Sequence, residues 1–147
     1  MKILFDTNVV LDVLQHRTPH FIFSAPLMNR VEQGTLTGLL CATTVTTIAY
    51  LTEQYLMKEN GKSRIEARAD TAVLLNMLLK IFDIAPVTRA VIDRAANSQF
   101  EDFEDGVLHE SAVAAGVDGI VTRNQKDYEK SALAIYSPQE LEAILIT

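Results

Sequence analysis

One cysteine, Cys41, stands alone among 147 residues. No internal disulfide can therefore form, and the apolar neighbours of Cys41 fit a reduced compartment, so a cytoplasmic location is expected. Long hydrophobic runs are missing, since none approaches the roughly 18–20 residues needed to cross a bilayer; no membrane contact is expected. No basic segment followed by a long apolar core opens the N-terminus, so no signal peptide is expected either. Positive charge is scarce: 13 Lys and Arg against 19 Asp and Glu leave a formal charge of −6. That balance argues against a protein that coats nucleic acid by bulk electrostatics. It suits a site in which clustered carboxylates hold a cation.

Several chemistries lack their signatures. There is no G-x-x-x-x-G-K-[ST] loop, and no G-x-G-x-x-G follows the first apolar segment, which excludes a P-loop nucleotidase and a Rossmann cofactor site. No G-x-S-x-G elbow is present, and Cys41 has no nucleophile context. The histidines His16, His20 and His109 share no metal spacing with one another or with Cys41, which excludes a zinc site; His109 reads as a surface or core histidine. A dehalogenase-type phosphatase needs D-x-D-x-T after its first strand, and this chain has Asp6-Thr7-Asn8-Val9-Val10.

What is present is ordinary in bulk, with hydrophobic residues at 48% and charged residues at 22%, the composition of a globular chain of one-domain size, taken as 1–147. KILF (2–5) reads as a buried strand, followed by a helix carrying Val9, Val10, Val13 and Leu14 at helical spacing. Further strands are predicted over 36–42, 81–87, 119–124 and 132–137. Helices are predicted over 21–33, from Ala42 to the Asn60-Gly61 stop, over 63–80, 89–98 and 105–115, and from Pro138. In the 63–80 helix, Ile65, Ala69, Ala72, Met77 and Leu78 are predicted as inner positions. Short apolar strands alternating with helices predict an α/β fold, a three-layer α/β/α domain with a mostly parallel sheet of about five strands.

Ligands of such sheets gather beyond the carboxyl ends of the strands. Three polar clusters fall there: Asp6-Thr7-Asn8, Asp102-Phe103-Glu104-Asp105, and Thr122 to Asp127. Each has a plain alternative. Asp6 is a good helix N-cap, Asp102-x-x-Asp105 resembles a capping box, and Asp127 suits an Asx turn. Together, however, carboxylates at one sheet edge repel one another unless a cation sits between them. Oxygen-only ligands favour Mg²⁺, with Mn²⁺ as a substitute. Such a site without a phosphate-cradling loop suggests metal-assisted phosphodiester hydrolysis. Arg123 and Lys126 stand beside it and are expected to grip flanking phosphates, whereas no aromatic run offers a stacking platform.

The segments ILFDTNVVLDVL (3–14), CATTVTTIAYL (41–51), DFEDGVLHESAVAAGVDGIVTRNQKDY (102–128) and SPQELEAIL (137–145) resemble the PIN domain family, and in particular its bacterial VapC-type toxin branch. The resemblance implies a Mg²⁺-dependent endoribonuclease that leaves a 5′-phosphate and a 3′-hydroxyl, acts as the toxin of a type II toxin–antitoxin pair, and forms a homodimer. It implies metal ligation by Asp6 and Asp105, with Asn124 and Asp127 completing the catalytic set and Asp102, Thr7 and Asn8 in support. The family often carries a Glu in the third helix, and here that position falls on Thr47, which brings no charge. Glu53 lies six residues on, about 240° around the helix. One metal rather than two is therefore expected, and a catalytically silent binding or regulatory module is the alternative reading. In the resembled toxins the region of the third and fourth helices serves dimerisation and antitoxin binding, which here falls on Leu56, Met57, Leu74, Leu75 and Met77.

Overall fold

A computed structural model describes all residues, 1–147. The strands are β1 (Lys2–Phe5), β2 (Thr37–Cys41), β3 (Asp83–Ala85), β4 (Gly119–Val121) and β5 (Ala134–Tyr136). The helices are α1 (Thr7–Leu14), α2 (Phe21–Glu32), α3 (Ala42–Glu59), α4 (Arg64–Ile81), α5 (Arg89–Ala96), α6 (Phe103–Ala115) and α7 (Pro138–Ile146). The five strands form one wholly parallel sheet in the order β3-β2-β1-β4-β5.

The apolar runs are strands because both faces of the sheet are covered. Ile3 and Phe5 point into one buried cluster with Leu40 and Val121. Leu4 points the other way, joining Leu39, Cys41 and Ile120 in a second cluster against α5 and α6. Over Ile3–Phe5 this alternation with period two leaves no side free for a polar residue. Each fully buried Leu or Ile contributes about 2 kcal/mol relative to exposure. Gly119 lets β4 lie close to β5, since a Cβ there would meet the Ala134 carbonyl and the Tyr136 ring at 2.8 Å.

Helix ends follow their capping residues. Asp6 caps α1, Thr88 caps α5, and Ser63 and Ser137 form capping boxes with Glu66 and Glu140. The α6 helix starts two residues earlier than its sequence predicts, because Asp102 rather than Asp105 is the cap. The inner stripe of α4 also differs from the sequence-based expectation. Ala67, Thr71 and Leu78 are buried, while Ile65 is 83% and Met77 61% exposed and Ala69 faces outward. Ala67, Thr71 and Leu78 recur at helical spacing, and Met77 lies about 100° off that line. Of the α3–α4 apolar residues, Leu56, Met57, Leu74 and Leu75 are half-buried and only Met77 is exposed.

The strand order fixes where a ligand site can lie. From β1 the chain steps to β2 and β3 on one side, then returns as β4 on the other. The carboxyl ends of β1 and β4 are thus neighbours at the switch point, paired Phe5 with Val121, and the Asp6 amide continues the ladder by donating to the Val121 carbonyl at 3.0 Å.

Candidate active site

Asp6 is the residue that leaves β1 and enters α1. Its Oδ1 accepts from the Thr7 amide at 2.7 Å, and its Oδ2 accepts from the Thr122 hydroxyl at 2.7 Å and from the Asn8 side-chain amide at 3.3 Å. The cap and ligand readings of this residue are therefore compatible: one oxygen serves the helix end, and the other faces the end of β4. Burial raises the Asp6 carboxyl above the usual range against the lowering effect of the Thr122 and Thr7 hydrogen bonds, and the charges of Glu104 and Asp127 add to the rise.

Asp105 sits in the first turn of α6, its amide held at 3.1 Å by Oδ1 of Asp102. Burial, then Asp102, Asp6, Asp127 and Glu104, push its carboxyl up to about 7. The acidic residues predicted from three separate segments, Asp6, Asp102–Asp105 and Asp127, are thus near enough to act on one another's protons. Asp102, Asp105, Lys126 and Asp127 line a cleft of about 500 Å³, with Phe100 and Lys130. Asn124 is exposed, and only its backbone is engaged: its amide donates to Thr122 Oγ1 and its carbonyl accepts from the Asp127 amide.

The other predicted residues are placed as follows. Thr7 Oγ1 donates to Thr44 Oγ1 at 3.2 Å, so the α3 residue that touches the first motif is Thr44. Thr47 lies one turn further along α3, and its hydroxyl donates to the Thr43 carbonyl. Glu53 faces Arg68 of α4 at 3.8 Å, away from the carboxylate site. Asn8 links two segments, giving Nδ2 to Asp6 and accepting the Arg123 amide on Oδ1 at 3.3 Å. The Arg123 side chain turns away from the carboxylates, and its Nε donates to Asp12 Oδ2 at 2.6 Å. Lys126 stays exposed at the cleft. His109 is buried, lies tilted against Phe100 with ring centroids 4.8 Å apart, and accepts the Ala132 amide on Nε2, a packing role.

Three residues take roles that the sequence did not assign, although Thr122 and Glu104 lie in its polar clusters. Thr122 is fully buried and its hydroxyl ties β4 to Asp6. Glu104 adds to the charge pressing on Asp6 and Asp105. Tyr128 is buried with an unpartnered hydroxyl, and burial followed by Asp6, Asp105, Asp127 and Cys41 hold its phenol above the ordinary range. Thr122 and Tyr128 both lie in the TRNQKDY segment, where only position relative to the strand end could have singled them out.

The donor set is all oxygen, which fits a hard divalent cation, and Asp6 and Asp105 are raised by burial first and by neighbouring carboxylates after it. No trio of His, Cys, Asp or Glu stands in a metal-caging arrangement. Mg²⁺ does not require one, since it is commonly held by one or two carboxylates with water and phosphate filling the octahedron.

Comparison with known proteins bears on the fold. No curated protein sequence matches the chain. Among solved structures, the chain resembles one in VapBC2 from Rickettsia felis bound to a promoter DNA fragment, with a TM-score of 0.64 at 14% identity over 93% of this chain and 98% of that one. It also resembles one in a toxin–antitoxin complex from Klebsiella pneumoniae, with a TM-score of 0.66 at 17% identity over 94% and 98%. A third likeness is to FitAcB from Neisseria gonorrhoeae, with a TM-score of 0.64 at 20% identity over 92% and 97%. The sequence model for the PIN domain matches residues 2–126. That match spans most of a chain built on a five-stranded parallel sheet, and the chain belongs to the PIN domain family.

Proposed function

We propose that this chain is a Mg²⁺-dependent endoribonuclease and the toxin of a type II toxin–antitoxin pair, working as a homodimer with an antitoxin partner. The observation that carries this reading is the convergence of Asp6, Asp105 and Asp127 on one another at the carboxyl edge of β1 and β4, with Asp105 pushed up to about 7. Its toxin assignment is supported by the likeness to a chain of the toxin–antitoxin complex from Klebsiella pneumoniae and to one of VapBC2.

Asp6 and Asp105 are assigned to the metal. A divalent cation there supplies the acidity that activates water and the charge that offsets a phosphate in transition. Asn124, whose side chain is uncommitted, and Asp127 orient the water; Asp102 keeps Asp105 in place by capping α6, and Thr122, Thr7 and Asn8 hold Asp6. Lys126 at the cleft pairs with a substrate phosphate. The test is cleavage of RNA by the purified chain with Mg²⁺ and with EDTA. Cleavage with Mg²⁺ alone, lost in Asp6→Asn with folding intact, is expected; equal cleavage in the variant contradicts the assignment. Thr47 at the position where the family often carries Glu, with Glu53 turned to Arg68, favours a single ion and keeps the silent-module reading as the alternative.

A further inference from the structure

A second cavity of about 500 Å³ opens between α2, α7 and the loop after β4, lined by Arg123, His20, Phe23, Ser24, Ser137 and Gln139 among others, with no carboxylate on its wall. In a chain of charge −6 that is notable, because the cavity is built around net positive charge. Asp12 is fully buried and faces two guanidinium groups, Arg123 at 2.6 Å and Arg17 at 3.7 Å. One carboxylate against two guanidinium groups leaves one positive charge over. Arg123 spends only Nε on Asp12, and its two Nη groups make no hydrogen bond within the chain. Salt-bridge anchoring of Nε fixes the plane of the fork, so the free Nη edge is presented in a set direction. Ser24 is fully buried, lines the same cavity, and its Oγ has no partner. A buried hydroxyl without a partner is costly and calls for a ligand or water to satisfy it. His20, whose side chain makes no cap hydrogen bond at the start of α2, stands at the same wall.

We propose that this cavity is an anion site that seats a phosphate of the nucleic acid, one flanking the bond cut at Asp6 and Asp105. The identity of the anion rests on the ribonuclease reading. Continuity favours a phosphodiester strand: Asn8 accepts the Arg123 amide and donates to Asp6, so one side chain joins the wall of the cavity to the carboxylate site. A strand crossing the acidic cleft, where Lys126 and Lys130 are its cations, runs from there toward the Arg123 fork. Phosphate contacts of this kind set the register of the strand and carry no sequence preference.

The test uses the whole chain in EDTA, so that neither cleavage nor a metal contributes, and reads amide resonances by NMR while inorganic phosphate, acetate and a short oligodeoxynucleotide are titrated separately. Saturable shifts at Arg123 and Ser24 with phosphate, and with the oligodeoxynucleotide at lower concentration, are expected. Ser24→Ala should weaken phosphate binding roughly five-fold, while leaving the fold as stable as before or more so, because an orphaned hydroxyl is removed. The paired change Asp12→Asn with Arg123→Gln removes one charge of each sign, so no buried carboxylate is stranded, and should abolish the shifts. Unchanged phosphate binding in Ser24→Ala, or no shift in the wild type, overturns the proposal. So does acetate shifting the same resonances as strongly while the oligodeoxynucleotide does not, which assigns the cavity to a peptide carboxylate. A protein that cleaves RNA but shows no shift refutes this inference alone; one that shifts with phosphate and oligodeoxynucleotide but never cleaves refutes the ribonuclease reading alone.

Discussion

Asp105→Asn is expected to lower RNA cleavage roughly 10²–10³-fold and, in the same protein without metal, to raise stability above pH 7. The two effects point in opposite directions because one charge is responsible for both. Burial in the first turn of α6, followed by the charges of Asp102, Asp6, Asp127 and Glu104, raises the Asp105 carboxyl from 3.8 to about 7. The folded state therefore holds a proton that the unfolded chain has already released. The Asp105 contribution to stability is greatest below about pH 4, falls as pH rises toward 7, and is absent above it. Asp6, also raised, acts with the same sign. His109 is held below its ordinary value, chiefly by burial, so its effect on stability increases with pH and partly hides the carboxylate effect. Comparing Asp105→Asn with the wild type removes the His109 contribution, since both proteins share it. The difference in melting temperature should be near zero at pH 4 and largest at pH 8, and Mg²⁺ should close it by stabilising the wild type only. A variant less stable than the wild type at pH 8 without metal contradicts this account of the cleft.

Arg123→Met is expected to cost about 3 kcal/mol of folding stability, the scale of a buried ion pair broken on one side. Asp12 is fully buried, Arg123 Nε meets it at 2.6 Å, and the remaining Arg17 stands at 3.7 Å with its own Nε on Gln15. The cost lies in the stranded carboxylate rather than in the missing arginine. Asp12→Asn in the same chain should then restore most of the loss, because no buried charge is left unpaired and Arg17 keeps solvent access. Urea unfolding of the two single variants and the double variant gives the coupling. Additive losses would show that Arg123 contributes packing and little else.

Local signals carried the reading of the strands and most helix ends. KILF is apolar throughout because β1 is covered on both faces, and Ser63, Thr88 and Ser137 each stand where a cap is needed. The carboxylate cluster was legible because each of its segments sits at a strand's end or a helix's start. What failed was the choice between near-equivalent local options. The sequence reading starts the helix at Asp105, whereas the capping-box alternative, with Asp102 as the cap, is the one the packed helix adopts. Ile65 and Met77 are as apolar as Leu78, so composition could not tell which stripe of α4 meets the core. Long-range pairs were out of reach as well: the partner of Arg123 lies 111 residues away in a helix that reads as a simple apolar repeat. The same limit hid Thr122, whose function depends on a carboxylate 116 positions earlier.

The central claim is that the carboxylates at the β1–β4 edge are gathered for a divalent cation. Calorimetric titration of the purified chain with Mn²⁺ tests it most directly. The account predicts one saturable site at millimolar metal or below. At pH 6 binding should release protons, because Asp105 must ionise to bind; the site should be lost in Asp105→Asn. Absence of binding at millimolar metal, or equal binding in Asp105→Asn, would contradict it.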